Sequence, residues 1–135
     1  MGRRVAAGVA GGLAGGIVFG MLMAMMGMLP MIASMMGSQS AWVGFGVHLM
    51  ISIFYGLVLT LFFAGRFLNS YGRGTLTGIV YGVILWIIGP LLIMPMMLGM
   101  PLLAFNQTVM LSLMGHMVYG VLLALVAVRI LKGRA

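Results

Sequence analysis

Two histidines, His48 and His116, stand in otherwise apolar stretches, and each lies four residues from a serine: His48-Leu49-Met50-Ile51-Ser52 and Ser112-Leu113-Met114-Gly115-His116. A four-residue spacing puts histidine and serine on one helical face. Ionisable groups inside a bilayer are costly and are read by default as functional. Two chemistries suit the pattern. In the first, His48 bonds Ser112 and Ser52 bonds His116 across facing helices, since a neutral imidazole donates one hydrogen bond and accepts another and serine serves either need. Each such clasp is worth on the order of 1 kcal/mol in a membrane. In the second, one or both imidazoles are axial ligands of a b-type haem or another tetrapyrrole, with Gly46, Gly56, Gly115 and Gly120 making room for a flat macrocycle.

Methionine is the other soft donor, with 17 residues. Dense groups run from Met21 through Met36 and from Met94 through Met100, and further methionines sit at Met50, Met110, Met114 and Met117. Thioethers suit Cu(I), so a copper or small-solute conduit is a third reading. Methionine is also the flexible filler of apolar cores, and here it keeps to no single face. The chain has no Asp, Glu or Cys. It therefore has no carboxylate for ion coupling, no acid/base pair and no thiolate, and no phosphate-cradling loop occurs. The expectation is a non-enzyme without catalytic residues or a dedicated metal site, most simply without a cofactor, and with no affinity for nucleic acid.

These residues need elements to hold them. The chain has 135 residues, 64% of them hydrophobic and only 5% charged. A soluble domain carries about a quarter charged residues. Four apolar stretches, each long enough to cross a hydrocarbon layer about 30 Å thick, predict helices at about 5–28, 42–64, 74–96 and 107–130. An all-α, integral-membrane four-helix bundle follows, because lipid-exposed open sheet leaves backbone groups unsatisfied. The Met1-Gly2-Arg3-Arg4 start followed by a long apolar run reads as a retained first helix rather than a cleaved leader. Pro30, Pro90, Pro95 and Pro101 predict breaks or kinks after the first and third helices.

The seven basic residues fall in three places: Arg3 and Arg4, then Arg66 and Arg73, then Arg129, Lys132 and Arg134. The connections around Ser38-Gln39-Ser40 and Asn106-Gln107-Thr108 carry no charge. The positive-inside rule then places both termini and the middle loop in the cytoplasm. Trp42, Phe45 and Phe105 fall where an outer aromatic belt belongs, and Phe67 and Tyr71 where an inner one does.

The chain is also written twice. Gly12, Gly16, Gly20, Gly27 and Gly37 recur as Gly74, Gly78, Gly82, Gly89 and Gly99, and Gly16-Ile17-Val18-Phe19-Gly20 as Gly78-Ile79-Val80-Tyr81-Gly82. Phe54-Tyr55-Gly56-Leu57-Val58-Leu59 recurs as Val118-Tyr119-Gly120-Val121-Leu122-Leu123, at an offset two residues larger. The repeats span about 5–64 and 74–130 of a single membrane domain, 1–135. Each holds two crossings, so the copies enter the membrane in the same direction and predict a pseudo-twofold axis along the membrane normal. The alignment lays His48 over Ser112 and Ser52 over His116. Gly8, Gly12, Gly16 and Gly20 in the first helix, and Gly74, Gly78 and Gly82 in the third, are the glycine-zipper spacing that lets backbones approach closely.

Arg73-Gly74 with Gly78, Gly82 and Trp86, followed by His116-Met117-Val118-Tyr119-Gly120, resembles small uncharacterised four-helix membrane proteins of bacteria and archaea, of the domain-of-unknown-function type. The similarity lies mainly in the second half, over about 60 residues. It implies the fold, an energy-transducing context and a role for His116, but no activity. The leading expectation is a non-catalytic accessory or scaffold subunit of a respiratory or photosynthetic complex in a prokaryotic cytoplasmic membrane. Its partners would be other subunits or further copies of itself, and lipids. A haem b electron-transport protein is the alternative.

Overall fold

The computed structural model describes residues 1–132. Arg134, placed above in the last basic group, lies outside them. The elements are α1 (Gly2–Met25), α2 (Leu29–Ser34), α3 (Ala41–Phe67), α4 (Tyr71–Ile88), a π-helical turn (Gly89–Ile93), α5 (Met94–Leu98) and α6 (Gln107–Lys132). No strand occurs among the described residues. Four helices are long and apolar enough to cross a membrane: α1, α3, the continuous run Tyr71–Leu98 and α6.

The prolines act differently in the two halves. After α1 the chain stops, Gly27 takes a left-handed φ of 70°, and Pro30 opens the separate helix α2. After α4 it does not stop. Pro90 has no N–H to give the α-helical ladder, and the turn around it widens to π geometry before α5 resumes.

The end of the bundle where α1 begins and α6 ends is the basic end. With no acidic side chain to pair with, its arginines settle on backbone carbonyls in or near the last turns of α3 and α6. Arg3 donates to Ile130 O and Leu131 O at 3.0 and 2.7 Å, Arg4 to Leu61 O at 3.1 Å, and Arg73 to Arg66 O at 3.2 Å.

The packing order is α3–α1–α6–α4, with α1 wedged between α3 and α6 and with α4 lying along α6. Gly8, Gly12 and Gly16 face α3, where a methyl at Gly12 would meet Ser52 O at 2.6 Å and Ile53 Cα at 3.0 Å. Gly11 and Gly15 face α6 in the same way, against Leu123 O and Tyr119 O at 2.8 and 2.7 Å. Gly78 and Gly82 seat the backbone of α6 at Gly120–Val121 and His116–Met117. Gly74 faces Val128.

This arrangement departs from the pseudo-twofold expected from the repeat. Such an axis would carry the α1–α6 contact onto α4–α3, yet α3 and α4 meet only sparsely. The helix pairs also differ in register. Ser52 lies opposite Gly12, so its aligned counterpart His116 belongs opposite Gly74. It lies instead opposite Gly82, a slide of about eight residues or 12 Å. A ladder of glycines four apart offers several nearly equivalent seats, and a two-turn slide puts glycine back against backbone.

Candidate functional site

α1 packs against both α3 and α6 and so serves as a ruler for the level of the two histidines. His48 on α3 donates from Nε2 to Gly16 O at 2.9 Å. Its imidazole meets the ring of Phe19 edge-on, with centroids 5.2 Å apart. His116 on α6 packs against the same ring, with centroids 4.7 Å apart. The histidines therefore share one level around Phe19. The serines do not: Ser52 lies nearer the basic end, where Tyr119 donates to its carbonyl at 2.5 Å, and Ser112 lies nearer the uncharged end.

The expected His48–Ser112 and Ser52–His116 clasps are accordingly not formed. Each group turns to a nearer backbone acceptor. Ser52 Oγ donates to His48 O at 2.7 Å, Ser112 Oγ to Val109 O at 2.8 Å, and His116 Nδ1 to Ser112 O at 2.7 Å. Residues three or four apart on one helix reach each other's backbone without any help from a neighbouring helix.

A carbonyl only accepts, so these bonds fix both tautomers: His48 carries its proton on Nε2 and His116 on Nδ1. The other nitrogens, His48 Nδ1 and His116 Nε2, keep their lone pairs. Both histidines line the same space.

That space has two parts. A recess of about 90 Å³ is bounded by Phe19, His48, Ser52, Tyr55, His116 and Tyr119. A cavity of about 880 Å³ shares the two histidines and widens between α3 and the α4–α5 arm toward the uncharged connection at Asn106, Gln107 and Thr108. Toward the basic end the cleft is shut. Tyr81 on α4 donates to Tyr55 O on α3 at 2.6 Å, Thr77 to Phe67 O at 3.1 Å, and Tyr119 bridges α6 to α3. These bonds close the cavity at that end.

Methionines dominate its walls. Met23, Met28 and Met35 stand on one side and Met94, Met97 and Met100 on the other, with Met31, Met36 and Met50 completing nine. Their sequence scatter hides this convergence, which appears only once α2 and α5 bring their arms round the cleft. Phe19 and Tyr119, the ring and the hydroxyl that organise the recess, were also missed. Both lie in the repeated segments, but nothing in residue type alone marks them. Trp86 anchors α4 to α6 by donating to Val109 O at 2.8 Å.

No protein-family model, curated protein or solved structure matches the chain. Function is therefore argued from the site alone.

The recess beside both imidazoles holds an ion or a few waters but no macrocycle, so a haem held by them would have to lie in the larger cavity that both also line. The glycines assigned to make room for one are used otherwise. Gly56 and Gly120 seat the backbones of α1 and α4, Gly115 seats the Phe19 ring, and Gly46 faces open space. Phe45, expected in an aromatic belt, packs its ring over Gly20, whereas Trp42 and Phe105 remain exposed. His, Cys, Asp and Glu form no group of three among the described residues, so the donors available are imidazole and thioether.

Proposed function

We propose that the chain is a non-catalytic accessory protein of a prokaryotic cytoplasmic membrane whose work is done by the α3–α4 cleft, where it takes up a small guest and presents it to a larger membrane assembly. The observation that carries this reading is the blind 880 Å³ cavity, closed at the basic end and widening toward the uncharged one. By the positive-inside rule the basic end is cytoplasmic, so the cleft faces outward. A merely structural four-helix scaffold would be expected to close α3 on α4 along their length and bury the apolar walls. We read the sequence repeat as ancestry: two equivalent hairpins were duplicated, and the slide of one pair opened the cleft.

The absence of native cysteine gives a direct test. Single cysteines are placed at Ala104 near the mouth, at Ile51 deep in the cavity and at Phe62 on the exposed surface of α3. A small membrane-impermeant thiol reagent added from outside should label Ala104→Cys quickly and Ile51→Cys more slowly, and should spare Phe62→Cys. If Ile51→Cys is as inert as Phe62→Cys, the cleft is closed to the outside and the guest-binding reading falls.

A further inference from the structure

We infer that the recess between His48 and His116 binds a single Cu(I) ion, received through the methionine-lined cavity. This rests on the reading of the cleft as a guest site and names the guest. Three independent observations converge on it. First, each imidazole is set as a metal-ligating histidine usually is, with one N–H oriented by a backbone carbonyl and the other nitrogen left with its lone pair. Second, both imidazoles line one recess of about 90 Å³, and Phe19 packs against both rings. Third, the approach is lined by nine thioethers, with no carboxylate or thiolate in the chain.

The donor chemistry selects the ion. A hard divalent cation needs oxygen anions, and none exist here. Structural zinc is ordinarily four-coordinate, with thiolate or several imidazoles, and the site offers two imidazoles. Soft thioethers and imidazoles, all neutral, suit a monovalent soft cation that tolerates low coordination. The charge pattern favours holding over transport. Among the described residues the mouth carries no cation that would repel Cu(I), whereas Arg3, Arg4, Arg66, Arg73, Arg129 and Lys132 are gathered at the opposite end beyond the Tyr81–Tyr55 closure. Binding involves no electron transfer: the ion enters as Cu(I), exchanges its previous ligands for nitrogen and sulfur, and leaves as Cu(I).

The test uses the full chain, purified anaerobically in detergent with a tag free of histidine, and titrated with the acetonitrile complex of Cu(I) against a chromogenic Cu(I) chelator. One equivalent should be withheld from the chelator, and X-ray absorption at the copper edge should show nitrogen scatterers. Loss of an outer-shell partner costs a metal site roughly 10–100-fold in affinity, so removal of a ligand in His48→Ala or His116→Ala should cost at least that. Met94→Leu with Met97→Leu should slow loading while leaving the stoichiometry at one. Should a histidine variant fail to fold, the wild-type absorption spectrum still decides: a shell of sulfur alone overturns the site.

Retention that is unchanged in the His48→Ala/His116→Ala double variant also overturns it, as does no retention at all or an intrinsic Soret band that His116→Ala abolishes. If copper is not held but Ile51→Cys is labelled from outside, the guest site stands and its copper assignment falls. If Ile51→Cys is inert, both fall together.

Discussion

Gly115 and Phe19 offer a sharp check on the packing that brings the histidines together. A methyl at Gly115 would run into the Phe19 ring, which is 3% exposed and packed edge-on against two imidazoles. Turning the ring toward the recess it borders would break both of those contacts. Overpacking of this kind costs about 1–3 kcal/mol. Against it stands the helix propensity that alanine gains over glycine, up to about 1 kcal/mol. Gly115→Ala should therefore lose up to about 2 kcal/mol. Phe19→Ala should lose about 3–5 kcal/mol by opening a void beneath both histidines. In the double variant the obstacle is gone and the propensity gain remains, so adding Gly115→Ala to Phe19→Ala should be neutral or stabilising. The resulting coupling is about 1–3 kcal/mol, above the roughly 0.5 kcal/mol scatter of independent sites. Gly120→Ala is the control. Its obstacle is the backbone at Gly78 and Gly82, and truncation of a side chain cannot relieve it. Reversible unfolding in mixed micelles, followed by the fluorescence of Trp86 in the α4–α6 interface, measures each term. If Gly115→Ala costs as much with Phe19→Ala as without it, the ring is not the obstacle and the shared level of the two histidines is wrong.

Two further outcomes follow from the register and the charge pattern. His48 and Ser112 have separate backbone partners, so the losses of His48→Ala and Ser112→Ala should add within about 0.5 kcal/mol, and a double variant no worse than the poorer single would restore the direct clasp. Reporter fusions at Ser38 and Gln107 should read external and one at Ser70 internal, and an internal signal at Ser38 would reverse the bundle and turn the cleft mouth toward the cytoplasm.

The helices were legible because long apolar runs leave the backbone one solution in lipid. Their edges moved for local reasons. The expected stop near Met96 came at Leu98 because a π turn absorbs Pro90, and the first helix ended at Met25 because Gly27 takes a left-handed turn. The glycines at Gly8, Gly12, Gly16, Gly20, Gly74, Gly78 and Gly82 could be read as surfaces for close approach, but not assigned to partners. The adjacent pairs Gly11-Gly12 and Gly15-Gly16 hold the missing clue. Glycines on consecutive positions point about 100° apart, so α1 can accept a helix on each side. That is how α1 comes to lie between α3 and α6.

The site was half legible for a related reason. His48 and His116 could be singled out by chemistry, but a repeat alignment assumes that equivalent residues have equivalent neighbours. Sequence identity between copies constrains which surfaces are smooth. It does not constrain where along a smooth surface the partner sits, and side chains at the ends of each interface settle that. In the first pair Phe45 covers Gly20, while in the second Trp86 reaches Val109 O and Gly74 lies under Val128. Packing on α1 sets His116 level with His48, about one turn from where the repeat alignment puts it, and leaves Ser112 nearer the uncharged end. With α1 committed to both neighbours, α3 is left without a helix on its α4 side except at the Tyr81 closure. The level of the imidazoles is thus set by the two faces of α1 and the cleft by the sparse α3–α4 contact, so a change that moved α4 along α6 would be expected to alter the cleft and leave the two histidines level.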